Sequence, residues 1–184
     1  MCEPILLENL DKNFQGCIIR PATVCGVSPK MRFDLSVNIL TNYAYNLGYI
    51  KVFGGSQKRP NIHMDEIIKI YKILIEKKLD KHNGEIYNAG FENLKIIDIA
   101  KKVKKIVEKR RKSKINIIVE KSDDIRSYHI NSDKLKRAFN FKIKKRVENA
   151  IEDICDLFKS NQAKDSFTNL NYYNVKKLKK INFK

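Results

Sequence analysis

The stretch GCIIRPATVCG, residues 16–26, decides the fold. Its middle, CIIRPATV at 17–24, is short, rich in branched side chains and closed by a glycine on each side. That pattern reads as a buried strand. Pro21 belongs at the end of such a strand, because its nitrogen carries no hydrogen for a sheet ladder. Upstream, EPILLENLD (3–11) has apolar residues at 5, 6, 7 and 10 and reads as the tail of a helix that Gly16 ends. The chain therefore opens on a helix followed by a strand.

Working outward, GVSPKMR is a loop. FDLSVNILTNYAYNLG (33–48) has apolar residues at 33, 37, 40, 44 and 47 and a glycine stop, which predicts a helix. IKVF (50–53) and RPNIHM (59–64) read as short strands around a Gly-Gly turn. MDEIIKIYKILIEKKL (64–79) is an amphipathic helix with Ile67, Ile70, Tyr71, Leu74 and Ile75 on one face. GEIYNAG (84–90) is a strand between two glycines. LKIIDIAKKVKKIVEKRR (94–111) is a second strong helix, with Ile97, Ala100, Val103 and Val107 spaced for burial. KINIIVE (114–120) is a strand, SDKLKRAFNF (132–141) a short helix with a Ser-Asp cap, and VENAIEDICDLFK (147–159) the last clear helix. Past Asn161 the chain turns polar and Asn-rich, and an ordered structure is not expected there. Strands alternating with helices give an α/β fold.

Composition narrows the function classes. A chain of 184 residues with 42% hydrophobic content can bury a real core. No apolar run approaches the roughly 18 residues that span a bilayer. The start, MCEPILLENLDKNF, has no basic region of the kind that opens a secretory signal, so a cytoplasmic protein is expected. Cys2, Cys17, Cys25 and Cys155 form no C-x-x-C pair and stand at no metal-ligand spacing with a histidine, which predicts reduced, mostly buried thiols and no metal site. The net charge of +17 admits nucleic-acid binding. Much of the excess lies in KKVKKIVEKRRKSK and VKKLKKINFK, however, and solvated basic faces are the commoner source of such runs. Nucleic acid is therefore the weakest of the partner readings.

FGGSQKRPNIH, residues 53–63, raises the question of function. An aromatic ring, a glycine turn and the pair Lys58 and Arg59 suit either a surface hairpin or a pocket for a flat anionic ligand.

Four segments in this order carry a resemblance: IIRPATVCGVSP, then MRFDLSVNILTNYAYNLGYIKVFGGSQKRPNIHMDEIIKIY, then GEIYNAG, then RSYHINSDKLKRAFNFK. Together they resemble the C-terminal portion of the extended short-chain dehydrogenase/reductase family, the NAD(P)-dependent nucleotide-sugar epimerases and dehydratases, over about residues 1–160. The resemblance implies a Rossmann-like fold with a small substrate lobe. It assigns 1–26 and 64–90 to the remnant of the Rossmann-like sheet, 27–63 and 91–160 to the substrate-binding lobe, and 161–184 to a basic tail. The family's catalytic pair is a Y-x-x-x-K motif, and its C-E-x-x-L follows that lysine closely. Here C-E-P-I-L begins at Cys2, so the chain resembles a piece that starts just past that lysine. The glycine-rich dinucleotide turn and the Tyr/Lys pair are expected to be missing. Tyr43 and Tyr71 do not replace it, since Leu47 and Ile75 stand four residues on.

The resemblance further implies that Pro21, Ala22 and Thr23 form the loop at the nicotinamide end of NAD or NADP. It implies that Leu35, Asn38, Phe53, Arg59 and Arg126 face the nucleotide-diphosphate sugar. Phe53 would lie beside the base, and Arg59 and Arg126 would fork onto the diphosphate. Each has an ordinary alternative: a core or strand-end phenylalanine, a solvated arginine, an ion pair of Arg126 with Asp123 or Asp124, and Leu35 as core. An asparagine near Thr23 and a tyrosine at Cys25 are common in the family and are replaced here. His63 and Glu66, in the family's H-V-x-D stretch, read as structural. No catalytic residue is expected, and no cofactor is expected to bind tightly to this chain alone. The isolated chain is expected to be inactive as an oxidoreductase and, with an unpaired strand edge, prone to self-association. Two further readings stand beside this one. One is a non-catalytic module that works with a second copy or with a separate chain carrying the first half. The other is a basic nucleic-acid-binding protein.

Overall fold

The computed structural model describes residues 2–77, 80–122 and 126–181. Helix α1 (Cys2–Glu8) leads into strands β1 (Ile18–Pro21) and β2 (Thr23–Cys25), then α2 (Ser36–Asn42), which widens into a π-turn over Tyr43–Leu47. Next come β3 (Tyr49–Phe53), β4 (Lys58–His63), α3 (Met64–Glu76), β5 (Ile86–Ala89), β6 (Glu92–Lys95) and α4 (Ile96–Arg111). The chain continues through β7 (Asn116–Glu120), α5 (Asp133–Phe139), α6 (Val147–Lys159) and α7 (Asn174–Lys180). The α/β class expected from the alternation is the one observed. The glycine stop at 48 is met as well: Gly48 ends the π-turn at φ 77, a left-handed conformation open to glycine without a Cβ penalty.

Three small sheets carry the strands among the described residues. β1 pairs in parallel with β5, β3 pairs in parallel with β7, and β4 lies between β2, parallel to it, and β6, antiparallel to it. The single strand expected over 17–24 is thus two. Ala22 breaks it, while its N–H still donates to Ala89 O at 2.7 Å. Pro21 does end β1, as expected. Ile18 N–H and Ala22 N–H both point at β5, so by alternation position 21 faces the other edge, where a missing donor costs nothing. The expected full burial of this strand is not found. Ile18 is buried, Ile19 half-buried, and Arg20 and Pro21 are exposed.

One core gathers Val37, Leu40, Ile50, Val52, Ile99, Val103, Val107 and Ile151 from α2, β3, α4 and α6. A second gathers Ile62, Ile67, Ile70, Tyr87, Leu135 and Phe139 from β4, α3, β5 and α5. The residues past Asn161 are not the unstructured tail expected from their polarity. Phe33 N–H donates to Tyr172 O at 3.0 Å, and Asn174 N–H donates to Asp34 Oδ2 at 3.1 Å. The buried Tyr173 donates its hydroxyl to Ser166 O at 2.8 Å. A few aromatic and Asn side chains outweigh the polar composition, with Phe33, Met31, Ile154, Ala163 and Tyr173 forming a third cluster.

The Ser-Asp cap expected at α5 is not made. Ser132 Oγ accepts from Gly90 N–H at 2.9 Å and donates to Gly90 O at 2.7 Å, so it ties α5 to β5. The cysteines are free as expected, but only Cys25 and Cys155 are buried; Cys17 is half-buried and Cys2 exposed. Among the described residues no three metal-ligating side chains cluster, and no helix is long and apolar enough to cross a membrane.

Candidate functional site

The question raised by FGGSQKRPNIH has a topological answer. β3 and β4 flank the glycine turn but do not pair with each other. β3 pairs with β7, and β4 pairs with β2 and β6. The segment is therefore a crossing between two sheets and not a hairpin. Its amides are committed internally: Gly54 N–H donates to Glu120 O at 2.8 Å and Gly55 N–H to Gln57 Oε1 at 2.6 Å.

Two groups of candidate residues result. The first lines a cleft of about 260 Å³ that runs along β2 from Ala22 to Gly26 and reaches Met64, just past the carboxyl end of its parallel partner β4. Ala22, Thr23, Leu35 and Asn38 all border it, and so do Lys30 and Arg32. Crevices at strand carboxyl ends are where open α/β sheets bind ligands. Asn38 is buried and shapes the cleft with its amide: Oδ1 accepts from Gly26 N–H at 3.1 Å and Nδ2 donates to Arg32 O at 2.8 Å. Leu35 is half-buried in extended conformation just ahead of α2. Arg32 forks onto Asp34 at 2.9 and 3.2 Å, so its charge is already paired. Lys30 is exposed and makes no ion pair among the described residues, leaving it as the cleft's open positive charge. Pro21, exposed at the end of β1, stands beside this cleft rather than in its lining.

The second group lies where the 53–59 crossing runs beside the segment after β7. Lys58 N–H donates to Ser127 Oγ at 3.0 Å, and Arg59 donates to the Arg126 carbonyl and sits 5.3 Å from the Tyr128 ring. Phe53 is 48% exposed, opposite Glu120 in the β3–β7 register, with Lys51 Nζ 5.2 Å from its ring. Arg126 is exposed. The alternative pairing of Arg126 with Asp123 or Asp124 falls on residues outside those described. Arg59 is two positions before Asn61, the β4 partner of Thr23, so the two groups lie about 7 Å apart along one strand.

His63 and Glu66 occupy structural positions. His63 Nδ1 accepts from Asp65 N–H at 3.0 Å, which caps α3, and its Nε2 meets Asp153 Oδ2 of α6 at 3.2 Å. Burial pushes the His63 pKa below its ordinary value, against the pull of Asp153 and Asp65. The fully buried Glu66 accepts from Lys69 Nζ and from the amides of Lys144 and Lys145.

Sequence reading missed Lys30 and Arg32, which sat in a segment read only as a loop. Their approach to Thr23 depends on the Asn38 bonds and on Gly26, whose φ of 105 turns the chain back. It also missed two tyrosines with a lysine four residues on, Tyr172 with Lys176 and Tyr173 with Lys177. Neither pair lies at the cleft. Burial pushes the Tyr173 pKa up to about 12, and its hydroxyl is bonded to Ser166 O. Lys177 Nζ donates to Asn171 Oδ1 at 2.8 Å.

Residues 5–90 match the family described as the NAD dependent epimerase/dehydratase family. The fold is that of solved nucleotide-sugar enzymes. UDP-glucuronic acid 4-epimerase from Bacillus cereus, in complex with UDP-glucuronic acid and NAD, superposes with TM-score 0.69 at 21% identity, over 86% of this chain and 49% of its own. UDP-glucose 4-epimerase from Thermotoga maritima, with UDP-glucose, gives 0.65 at 17% identity, over 83% and 48%. RMD from Pseudomonas aeruginosa, complexed with NADPH, gives 0.72 at 13% identity, over 86% and 54%. The chain thus spans about half the length of these structures.

Proposed function

We propose that this chain, which carries the NAD dependent epimerase/dehydratase match over residues 5–90 and the Rossmann-like fold of nucleotide-sugar enzymes, is a nucleotide-diphosphate-sugar-binding unit of carbohydrate metabolism in the cytoplasm. The observation that carries the proposal is the cleft along β2 and past the carboxyl end of β4, where Thr23, Leu35 and the open charge of Lys30 converge. Its volume is just below the range of whole-ligand pockets and suits the diphosphate with an adjoining ring. Lys30 and Arg32 would meet phosphate oxygens, and Leu35 would meet a ring face. Phe53 would lie beside the base, and Arg59 and Arg126 would reach the diphosphate from the nucleoside side. In this reading 27–63 and 91–160 form the substrate lobe, and 1–26 with 64–90 the sheet remnant.

Two of the similar structures are complexes with NADPH and with NAD. Residues Pro21–Thr23 could touch only one end of such a dinucleotide, and the chain does not fit the rest. A pyrophosphate cradle needs free glycine amides at a turn. The amides of Gly16, Gly26, Gly54, Gly55, Gly84 and Gly90 all donate within the protein. Hydride transfer also needs a positioned acid/base. The two Tyr/Lys spacings lie away from the cleft, and Tyr173 is held as the neutral phenol. This chain's contribution is therefore to bind and orient the sugar nucleotide. Isothermal titration of the purified chain should show saturable binding of UDP-glucose or dTDP-glucose, with no NAD or NADP binding and no NAD-dependent turnover. Turnover, or tight NAD binding, would overturn it.

A second reading is favoured by one observation. β1 pairs only with β5 among the described residues, and Ile68, Tyr71 and Ile75 of α3 stand exposed beside a groove of about 480 Å³ lined by Cys17, Ile19 and Leu74. Parallel strands are normally covered on both faces. A separate chain supplying a parallel strand would make this a non-catalytic half of a two-chain assembly. Co-expression with such a chain, followed by co-purification, tests that reading.

A further inference from the structure

The last described helix has a charge pattern that nucleotide-sugar binding does not use. α7 leaves the body from a fixed base: Tyr173 is buried beneath it, and Asn174 N–H donates to Asp34 Oδ2. At about 100° per residue, Val175, Leu178 and Ile181 fall in one stripe roughly 120° wide. They are 60%, 45% and 59% exposed, although all three are apolar. Lys176, Lys177, Lys179 and Lys180 fill the remaining arc, and their mean direction is about 180° from the middle of the stripe.

Those four lysines are also unanswered. Several cations on other helices pair with carboxylates: Lys69 with Glu66, Lys72 with Glu76, Lys104 with Glu108, Arg110 with Asp156, Lys136 with Asp133. Lys176 instead lies 4.4 Å from the Tyr173 ring, and Lys177 donates to Asn171. No lysine of α7 makes an ion pair among the described residues, so four positive charges in seven residues border an uncovered apolar stripe.

We propose that α7 is a docking element for an anionic lipid surface. The stripe would enter the boundary between headgroups and acyl chains while the lysines reach the anionic headgroups, the arrangement of helices that lie in a membrane interface. The charge pattern selects this occupant. A second copy would bring the same +17 chain and the same unanswered lysines, which repel. A nucleic acid would use the lysines and leave Val175, Leu178 and Ile181 in water. An isolated seven-residue helix is marginal, so the Tyr173 base is part of the device.

The test is flotation of the full chain with phosphatidylcholine vesicles, with and without phosphatidylserine. Binding is expected to the phosphatidylserine vesicles only and to fall with salt. Each surface lysine contributes roughly fivefold in partitioning, so Lys179→Gln with Lys180→Gln should weaken it about 25-fold. Leu178→Asn leaves the charge unchanged and lies on an exposed face, and it should also reduce binding at least tenfold. Circular dichroism and UDP-glucose titration should be unchanged in both variants, which separates a failure here from a failure of the sugar-nucleotide site. Absence of binding to phosphatidylserine vesicles would overturn the proposal. So would binding that Leu178→Asn leaves intact, because the chain would then be acting as a diffuse polycation.

Discussion

Replacing Gly90 with alanine probes the junction on which the cleft rests. A Cβ built at residue 90 would stand 2.4 Å from Ala22 Cβ and 2.6 Å from Ile130 Cδ1. Carbon atoms in contact sit about 3.5–4.0 Å apart. The Ile130 methyl is the end of a flexible side chain and can swing away. Ala22 cannot, because its N–H is bonded to Ala89 O at 2.7 Å in continuation of the β1–β5 ladder. The ladder must open by about an ångström or break its last bond. Gly90 also holds both of its backbone groups on Ser132 Oγ, so the strain passes to α5. Overpacking of this kind costs about 1–3 kcal/mol, and the loss of the Ser132 bonds about 1 kcal/mol more. A total of about 2–4 kcal/mol corresponds to a Tm drop of about 4–16 °C for a chain of this length. Thermal and urea unfolding would read it. Ala22→Gly in the same chain removes the 2.4 Å contact and should restore at least half of the loss. An unchanged Tm in Gly90→Ala, or no recovery in the double variant, would refute the reasoning.

Three further outcomes follow from the same geometry. His63 has a pKa lowered by burial, so between its unfolded value near 6.5 and its lower folded value the unfolded chain binds more protons. Stability should therefore fall as pH drops below about 6.5, and the slope in that window should shrink in His63→Gln, measured by urea unfolding at several pH values. Glu66→Ala leaves the amides of Lys144 and Lys145 without their acceptor in a buried place, and should cost about 2–4 kcal/mol in the same assay. Tyr173→Phe removes the hydroxyl that bonds Ser166 O and meets Asn42. It should cost about 1 kcal/mol and speed amide exchange over residues 166–180, an effect that a detached tail would not show.

Much of the architecture is legible in the amino-acid order because it is written in short-range patterns. The amphipathic spacing of 64–79, 94–111 and 147–159 and the glycine bounds of 84–90 are local; the structure has helices over 64–76, 96–111 and 147–159 and a strand over 86–89, although Tyr71 and Ile75 of the expected apolar face stand exposed. What is not legible depends on partners far away in the sequence. Ala22 splits the 17–24 strand because β1 turns to β5 while β2 turns to β4, and nothing local separates those choices. β6 is a run of mixed polarity, ENLK, that becomes a strand only against β4. Ser132 looks like a cap and serves as a cross-link, because Gly90 leaves room beside it. The segment after Asn161 folds on Tyr173 and Phe33, two rings that an average over a polar window hides. At the candidate site, Thr23, Leu35 and Asn38 were identified through a family resemblance, and they border one cleft. Lys30 and Arg32 were not, since their position depends on a loop turned back by Gly26 and pinned by Asn38.

The most direct measurement is an amide chemical-shift titration of UDP-glucose into the wild-type chain and into Lys30→Ala. The account predicts saturable shifts at Thr23, Lys30 and Leu35, and an affinity at least tenfold weaker in the variant, as expected for the loss of one charged contact of about 1.5 kcal/mol or more. Arg59→Ala should weaken it as well. Shifts confined to other regions, or an affinity that Lys30→Ala leaves unchanged, would contradict the central claim.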